Sequence, residues 1–194
     1  MRYGLAAWGL REESLESQLR ITRDLGLDLL EFSIANYAKD ALQTGCSDQE
    51  IEAVKVLFQK YGVRLEYGCT GDDLTNDDVE SQQEKLTEVI EIASKLGIRY
   101  LRIFAGFNSD STVYGEKFER LLAALKELNA IASRKGIVLC VETHGGVMAL
   151  DNGALLHFNS FTTRMDSEAA FRPVSRMISK ALQINKRRIK NVVA

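Results

Sequence analysis

The sequence repeats one pattern four times, and this repeat constrains the fold more than any other feature. In each copy a glycine is followed by an apolar residue and a strand-like run; the four glycines are Gly26, Gly62, Gly97 and Gly136. They lie 36, 35 and 39 residues apart. A helical pattern of apolar residues precedes each one, so each glycine is predicted to end a helix in the left-handed conformation. The repeat therefore predicts helices that alternate with strands.

The helix signals are strongest before Gly62, where Ser47 and Glu50 have the spacing of a capping box. A further strand-like segment, residues 2–8, "RYGLAAW", brings the number of predicted strands to five, and a helix follows each of the first four. Strands that alternate with helices form parallel sheets with right-handed crossovers. The predicted strands are mostly apolar on both faces, as buried parallel strands are.

Two α/β architectures share this pattern: an open doubly wound sheet and a (β/α) barrel. A doubly wound nucleotide-binding fold would carry a glycine-rich phosphate turn after its first strand. The sequence has "AAWGLREES" there, without such a turn. The nearly constant repeat length favours the barrel.

Composition restricts the classes of function. The chain is 45% hydrophobic and 27% charged with a net charge of −2, which argues against nucleic-acid binding through a generally basic surface. No apolar run approaches the ~18 residues of a membrane span. The three cysteines (Cys46, Cys69 and Cys140) are odd in number and widely spaced, which favours reduced thiols in a cytoplasmic protein. The sequence has only two histidines, His144 and His157, which argues against a metal site made of several histidines within this chain.

The fifth predicted strand, "IVLCVETHGG", carries the strongest site candidates. Glu142 and His144 are two residues apart and so share a face, above Cys140 and Val138 if that face is the barrel axis. Catalytic residues of barrels lie at the carboxyl ends of strands, and glycines there let a ligand come close. The spacing alone leaves two interpretations open: a metal-binding or proton-transferring pair, or a Glu142 that caps a loop and a His144 that bonds to backbone.

The same alternation places Glu31, Arg64, Glu66 and Arg102 on the axial side of the second to fourth predicted strands. Unpaired charges inside a barrel are very costly, so we predict a Glu66–Arg102 contact below the active-site end. An error of one residue in the strand alternation is the alternative.

Three segments together resemble a known family: "GLDLLEFS" (residues 26–33), "LGIRYLRIFAG" (residues 96–106) and "VETHGG" (residues 141–146). They are similar to the second, fourth and fifth strands of the xylose-isomerase-like TIM-barrel superfamily. Its members are isomerases and epimerases of sugars and sugar phosphates, together with DNA-repair endonucleases that act at abasic sites. The resemblance runs from about Tyr3 to about Thr163.

The resemblance implies a metal-binding enzyme of carbohydrate metabolism, with Mn²⁺, Mg²⁺ or Zn²⁺, that moves a proton next to a carbonyl. It implies that Glu142 is a metal ligand in the catalytic site and that His144 takes part in catalysis or contacts the substrate. Trp8, at the end of the first predicted strand, would form an apolar wall against a sugar ring, or else is a core aromatic. The expected partner is a small sugar or sugar phosphate, with no nucleic acid and no membrane.

The DNA-repair branch of the superfamily is the poorer match. It binds a zinc cluster through histidines at the ends of the third and fourth strands. The corresponding segments here are "EYGCTGD" and "RIFAGFN", which contain no histidine. AP-endonuclease-like repair is therefore the least favoured function.

The C-terminal part departs from the family pattern. A family barrel has eight strands, but only 44 residues follow Leu150, and residues 169–194 contain seven Lys or Arg and no Asp or Glu. We predict a partial TIM-type barrel of about five parallel strands in residues 1–165 and a basic, helical, amphipathic tail in residues 166–194.

The metal ligands that the resemblance implies on strands six to eight would then be missing, which leaves the site incomplete. Three explanations stay open for this. The chain is a fragment, or its reading frame changed near Ser167. Alternatively, it is a stable truncated form whose open edge is covered by the tail or by a second copy. The third is a non-catalytic barrel that acts as an assembly or structural protein.

Overall fold

The computed structural model describes residues 3–75, 77–106 and 116–142, all within one compact unit, Met1–Val147. Helices and strands alternate through these residues as the repeat predicts. The described part contains α1 (Leu15–Asp24), β1 (Leu29–Ile34), α2 (Asp48–Tyr61), β2 (Arg64–Thr70), α3 (Val79–Leu96), β3 (Tyr100–Phe104), α4 (Glu116–Arg134) and β4 (Val138–Glu142). The predicted tail, residues 166–194, lies outside the described residues.

The four strands form one parallel sheet in the order β1-β2-β3-β4. Each strand therefore pairs with the next strand along the chain, and the intervening helix makes the crossover. A doubly wound sheet reverses its strand order at a switch point, whereas the order in the described strands runs in one direction. The architecture is that of consecutive units of a TIM-type barrel, and the prediction of a partial barrel is confirmed.

The helix ends follow the sequence signals closely. Gly26, Gly62, Gly97 and Gly136 all have positive φ angles, between 61° and 76°. The capping box of α2 is formed: Glu50 N–H donates to Ser47 Oγ at 3.3 Å, and Ser47 N–H donates to Glu50 Oε2 at 2.8 Å. Among the described residues, no helix combines the length and the apolar composition needed to cross a membrane.

The first predicted strand is reduced to a single parallel bridge between Leu5 and Leu30. Leu5 donates its N–H to Leu29 O at 2.9 Å and accepts the N–H of Glu31 at 2.9 Å. Gly4 permits this close approach, because a Cβ there would lie 2.8 Å from Cδ2 of Leu29. The chain then turns into a 3-10 helix, Ala7–Leu10, so the extended pairing ends after one residue. In the described part, this segment therefore adds a single bridge to a four-stranded sheet instead of a fifth strand.

The two faces of the sheet differ in burial. On the helix side Leu30, Leu101 and Leu139 are 0%, 0% and 2% exposed. On the opposite side Cys140 and Glu142 of β4 are only half-buried. This second face corresponds to the barrel axis, and Glu142 lies on it as the alternation along β4 predicts.

Candidate functional site

A cleft of about 1320 Å³ opens at the carboxyl ends of the parallel strands. Its lining includes a carboxylate or carboxyl group from each of three chain segments: Glu31 within β1, Asp72 in the loop after β2, and Glu142 at the end of β4. Arg102 of β3 lies among them. Because the strands are parallel, their functional ends meet at one edge, which is where barrel enzymes place their active sites.

Arg102 joins two of these carboxylates in one charge network. Its Nε and Nη2 donate to the two carboxylate oxygens of Glu31 at 2.8 and 3.2 Å, and its Nη1 donates to Glu142 Oε2. The side chains of Glu31 and Arg102 are 14% and 22% exposed, against 39% for Glu142. Burial disfavours the charge of Arg102, but the hydrogen bonds and charge of Glu31 outweigh it and raise the arginine pKa. The network holds the Glu142 carboxylate at the mouth of the cleft.

The predicted Glu66–Arg102 pair is wrong. Arg102 is paired with Glu31 and Glu142, whereas Glu66 accepts a hydrogen bond from Arg64 Nη1 at 2.9 Å. The Arg64–Glu66 pair lies at the amino end of β2, away from the cleft.

An irregularity in the register of β2 explains the error. Leu29 of β1 pairs with Arg64 of β2, and Glu31 of β1 pairs with Tyr67 of β2. Between these two pairs β1 advances by two residues, whereas β2 advances by three. This extra residue reverses the alternation along β2. Tyr67 therefore comes into register with the axial Glu31, and Glu66 does not.

Asp72 lies two residues beyond the end of β2 and is 3% exposed. Its Oδ1 accepts the backbone N–H of Phe104 at 3.3 Å, and its Oδ2 has no hydrogen-bond partner among the described residues. Burial raises the Asp72 pKa to about 8, against the opposing effects of the Phe104 N–H and the charge of Lys85. Oγ1 of Thr70, a residue that is 2% exposed, is likewise without a partner in the described part.

Helix α3 fixes the loop that carries Asp72. Lys85 Nζ donates to Gly71 O at 2.6 Å, and Gln82 Oε1 accepts the N–H of Asp73 at 3.2 Å. Both contacts come from one face of α3, so the position of this cleft wall depends on helix packing and is not left to a free loop.

An aromatic wall flanks the cleft on the β1 side. The rings of Trp8 and Tyr37 meet edge to face with centroids 5.1 Å apart, and the guanidinium carbon of Arg11 lies 4.9 Å from the Trp8 ring centroid. Trp8 is 45% exposed and Tyr37 is 76% exposed. Two exposed rings that line a polar cleft provide an apolar surface of the kind that packs against a sugar ring.

The thiols beneath the cleft are poorly suited to nucleophilic chemistry. Burial raises the pKa of Cys69 to about 12, and it also raises the pKa of Cys140. Cys69 Sγ lies 3.6 Å from Ser33 Oγ in the axial layer. These groups pack the barrel interior.

Residues 19–167 match the family of xylose isomerase-like TIM barrels. The chain belongs to this family. No curated protein matches the sequence significantly.

Several solved structures with the same fold are named as sugar epimerases. D-psicose 3-epimerase from Clostridium cellulolyticum H10, with D-tagatose, is 16% identical with a TM-score of 0.65, covering 86% of this chain and 60% of that chain. D-allulose 3-epimerase from Methylomonas sp., in complex with D-allulose, is 18% identical with a TM-score of 0.65, covering 84% and 59%. L-ribulose 3-epimerase is 21% identical with a TM-score of 0.59, covering 84% and 57%. At these identities the likeness concerns the fold, and the chain spans about 60% of the length of these relatives.

Within this xylose isomerase-like barrel, the structure brings Glu142 and Trp8 to the same cleft. His144 lies outside the described residues. The roles predicted for these three residues remain predictions. Sequence reasoning overlooked Asp72, although the pair Asp72–Asp73 directly after a buried strand is a signal for an active-site end.

Glu142 fits one part of a metal site. Its carboxylate supplies the oxygen ligands that Mg²⁺ and Mn²⁺ prefer, and it reaches the cleft from a strand end. Within the described residues, no three His, Cys, Asp or Glu side chains are grouped to hold a metal ion. These residues alone therefore do not fit a complete site, and a full ligand set would include residues outside the described part.

Proposed function

We propose that this chain is a sugar isomerase or epimerase, acting on a sugar or sugar phosphate by moving a proton next to its carbonyl. The observation that carries the proposal is the convergence of Glu31, Arg102 and Glu142 on a cleft at the carboxyl ends of the strands of a xylose isomerase-like barrel. Proton transfer beside a carbonyl needs a positioned carboxylate and a means of stabilising negative charge on oxygen. The similar structures named as sugar epimerases support the same class of reaction.

In this proposal Glu142 is the central residue of the site. It would contribute oxygen ligands to a divalent cation, Mn²⁺, Mg²⁺ or Zn²⁺, together with residues outside the described part. When bound, such a cation would polarise the substrate oxygens. Glu31 and Arg102 hold the carboxylate of Glu142 in position, and Trp8 packs against the substrate's apolar face. His144 contacts the substrate or transfers a proton.

Purified chain should be tested for Mn²⁺ binding by electron paramagnetic resonance and for interconversion of D-fructose and D-allulose. We expect Glu142→Gln to weaken Mn²⁺ binding at least tenfold and to abolish turnover, because an amide is a weaker ligand than a carboxylate. Glu66→Gln is the matched control, since it removes a carboxylate at the opposite end of the same sheet. Equal Mn²⁺ affinity and turnover in wild type and Glu142→Gln would refute the role of Glu142.

A second candidate is a non-catalytic assembly of partial barrels, and the half-buried axial face favours it. Tyr67 is 37% exposed although its ring stacks on that of Tyr100 with centroids 4.7 Å apart. We propose a second copy of this chain as the occupant of this face, through the open barrel edge. Light scattering over a range of concentrations tests it: a metal-free, inactive oligomer is the expected result, and a monomer at all concentrations contradicts it.

The predicted cytoplasmic setting also belongs to the proposal. Cys46, Cys69 and Cys140 are all free thiols in the structure. Unpaired thiols suit a reducing compartment. Thiol titration of protein purified without reductant tests the cytoplasmic setting. Three free thiols are expected, and an intermolecular disulfide would contradict it.

A further inference from the structure

Two buried polar atoms on the cleft wall lack partners in the described part of the chain: Thr70 Oγ1 and Asp72 Oδ2. Both residues line the cleft, and they are 2% and 3% exposed. Buried polar atoms are nearly always hydrogen-bonded, because an unpaired one destabilises the folded protein. Two such atoms, two residues apart on one wall, therefore call for a physical explanation.

The architecture explains only one oxygen of Asp72. The β2–β3 pairing ends at Cys69 and Arg102, and Phe104 then donates its N–H to Asp72 Oδ1 at 3.3 Å. This bond ties the loop after β2 to the end of β3. An asparagine would make the same bond through its own side-chain oxygen, so the tether does not account for Oδ2.

The chemistry of the two groups selects the kind of ligand. A buried carboxyl group with a pKa of about 8 is protonated at neutral pH, so it both donates and accepts hydrogen bonds, as the Thr70 hydroxyl does. A ligand hydroxyl has the same dual capacity. The cations on this wall are already engaged, with Lys85 bonded to Gly71 O at 2.6 Å and Arg102 to two carboxylates.

We propose that Thr70 and Asp72 form a receptor for a neutral hydroxyl group, so that this wall binds one hydroxyl of an uncharged polyhydroxyl ligand. The receptor rests on the proposed function, because the ligand it serves is the sugar of that site. It adds the residues that recognise a hydroxyl at the β2 end of the cleft, on the far side of β3 from Glu142. The ligand hydroxyl accepts from one group and donates to the other, which satisfies both orphaned atoms.

The test measures D-fructose binding by isothermal titration calorimetry with the whole chain. Wild type is compared with Asp72→Leu and Thr70→Val, which keep the side-chain size and remove the polar atoms. We expect each substitution to weaken binding about tenfold, the effect of losing one good hydrogen bond of about 1.4 kcal/mol. Thr87→Val is the matched control, because Thr87 Oγ1 donates to Gln83 O at 2.9 Å within α3 and does not line the cleft. Its affinity should equal that of wild type.

A set of deoxy-ketohexoses, each lacking one hydroxyl, then identifies the group that is bound. For one of them wild type should lose more affinity than the about tenfold expected of either substitution, because the missing hydroxyl removes both hydrogen bonds. Each variant should lose less than wild type does, since one of the two bonds is already absent. D-fructose binding of wild-type strength in both Asp72→Leu and Thr70→Val overturns the receptor and leaves the proposed function standing. A wild-type chain that binds no ketohexose overturns both. If Asp72→Leu does not fold, Thr70→Val decides the question.

Discussion

Replacing Asp72 by asparagine should remove a large part of the pH dependence of stability. The carboxyl group is 3% exposed, and burial raises its pKa from an ordinary 3.8 to about 8. Between these two values the folded protein holds a proton that the unfolded chain has lost. Stability therefore falls as the pH rises from about 4 and levels off above the folded pKa. Asparagine does not titrate and contributes no such slope.

The magnitude follows from the width of the pH window. One pKa unit corresponds to about 1.4 kcal/mol, so over the three units from pH 5 to pH 8 wild type should lose about 4 kcal/mol relative to Asp72→Asn. The charged groups that act on Asp72 are Lys85 of α3, Arg102 of β3 and the adjacent Asp73. All three are present in both proteins. The difference between the two curves therefore isolates Asp72.

Urea unfolding followed by far-ultraviolet circular dichroism, at pH 5, 6, 7 and 8, measures this difference. Asp48→Asn is the control: the hydrogen bond from Lys95 lowers the pKa of the exposed Asp48. A carboxyl group whose pKa is lowered in the folded state stabilises the fold at every pH above its unfolded pKa, and this stabilisation is lost only as the pH falls below that value. The unfolding free energy of Asp48→Asn should therefore run parallel to that of wild type from pH 5 to 8. Parallel curves for wild type and Asp72→Asn would show that the buried carboxyl group does not hold its proton, and the reasoning would fail.

Three further substitutions test the packing around the site by urea unfolding. Arg102→Met should cost about 3 kcal/mol, because it leaves Glu31 buried without its partner. Adding Glu31→Gln should recover part of this loss, and a double variant no more stable than the single one would contradict the reasoning. Leu101→Ala should cost about 2–5 kcal/mol, since Leu101 is fully buried under the helices; a loss below 1 kcal/mol would contradict the assigned face of β3. Ser47→Ala should cost about 1 kcal/mol through loss of the α2 cap, and an unchanged midpoint would show that the capping box contributes nothing.

The sequence was sufficient for the features that depend on local geometry. Gly62 and Gly97 end α2 and α3 because a residue with positive φ closes a helix at little steric cost only when it is glycine. The burial of Leu139 and the half-exposure of Glu142 follow from simple alternation along β4. In each case a few neighbouring residues determine the result, and a single sequence contains them all.

The ion pairs could not be predicted in the same way, because they depend on register across several strands. One additional residue in β2 moves Glu66 out of line with the axial residues and leaves it with Arg64. Nothing within the sequence of β2 marks this irregularity. The same register leaves Arg102 between Glu31 and Glu142, partners that are 71 and 40 residues away. Alternation correctly predicts which face of the sheet each charged residue of β1, β3 and β4 lies on. Which charges pair with one another depends on the register between strands, which the alternation does not determine.

Asp72 illustrates how the end of a strand determines chemistry without a recognisable motif. Because β2 pairs with β3 only as far as Cys69 and Arg102, the N–H of Phe104 needs another acceptor, and the first carboxyl group beyond β2 reaches it. That bond buries the carboxyl group, and burial raises its pKa. The protonated, half-satisfied group on the cleft wall thus follows from where the strand pairing stops. In a barrel of this kind, residues one or two positions beyond each strand should be considered as site candidates whether or not they form a known motif.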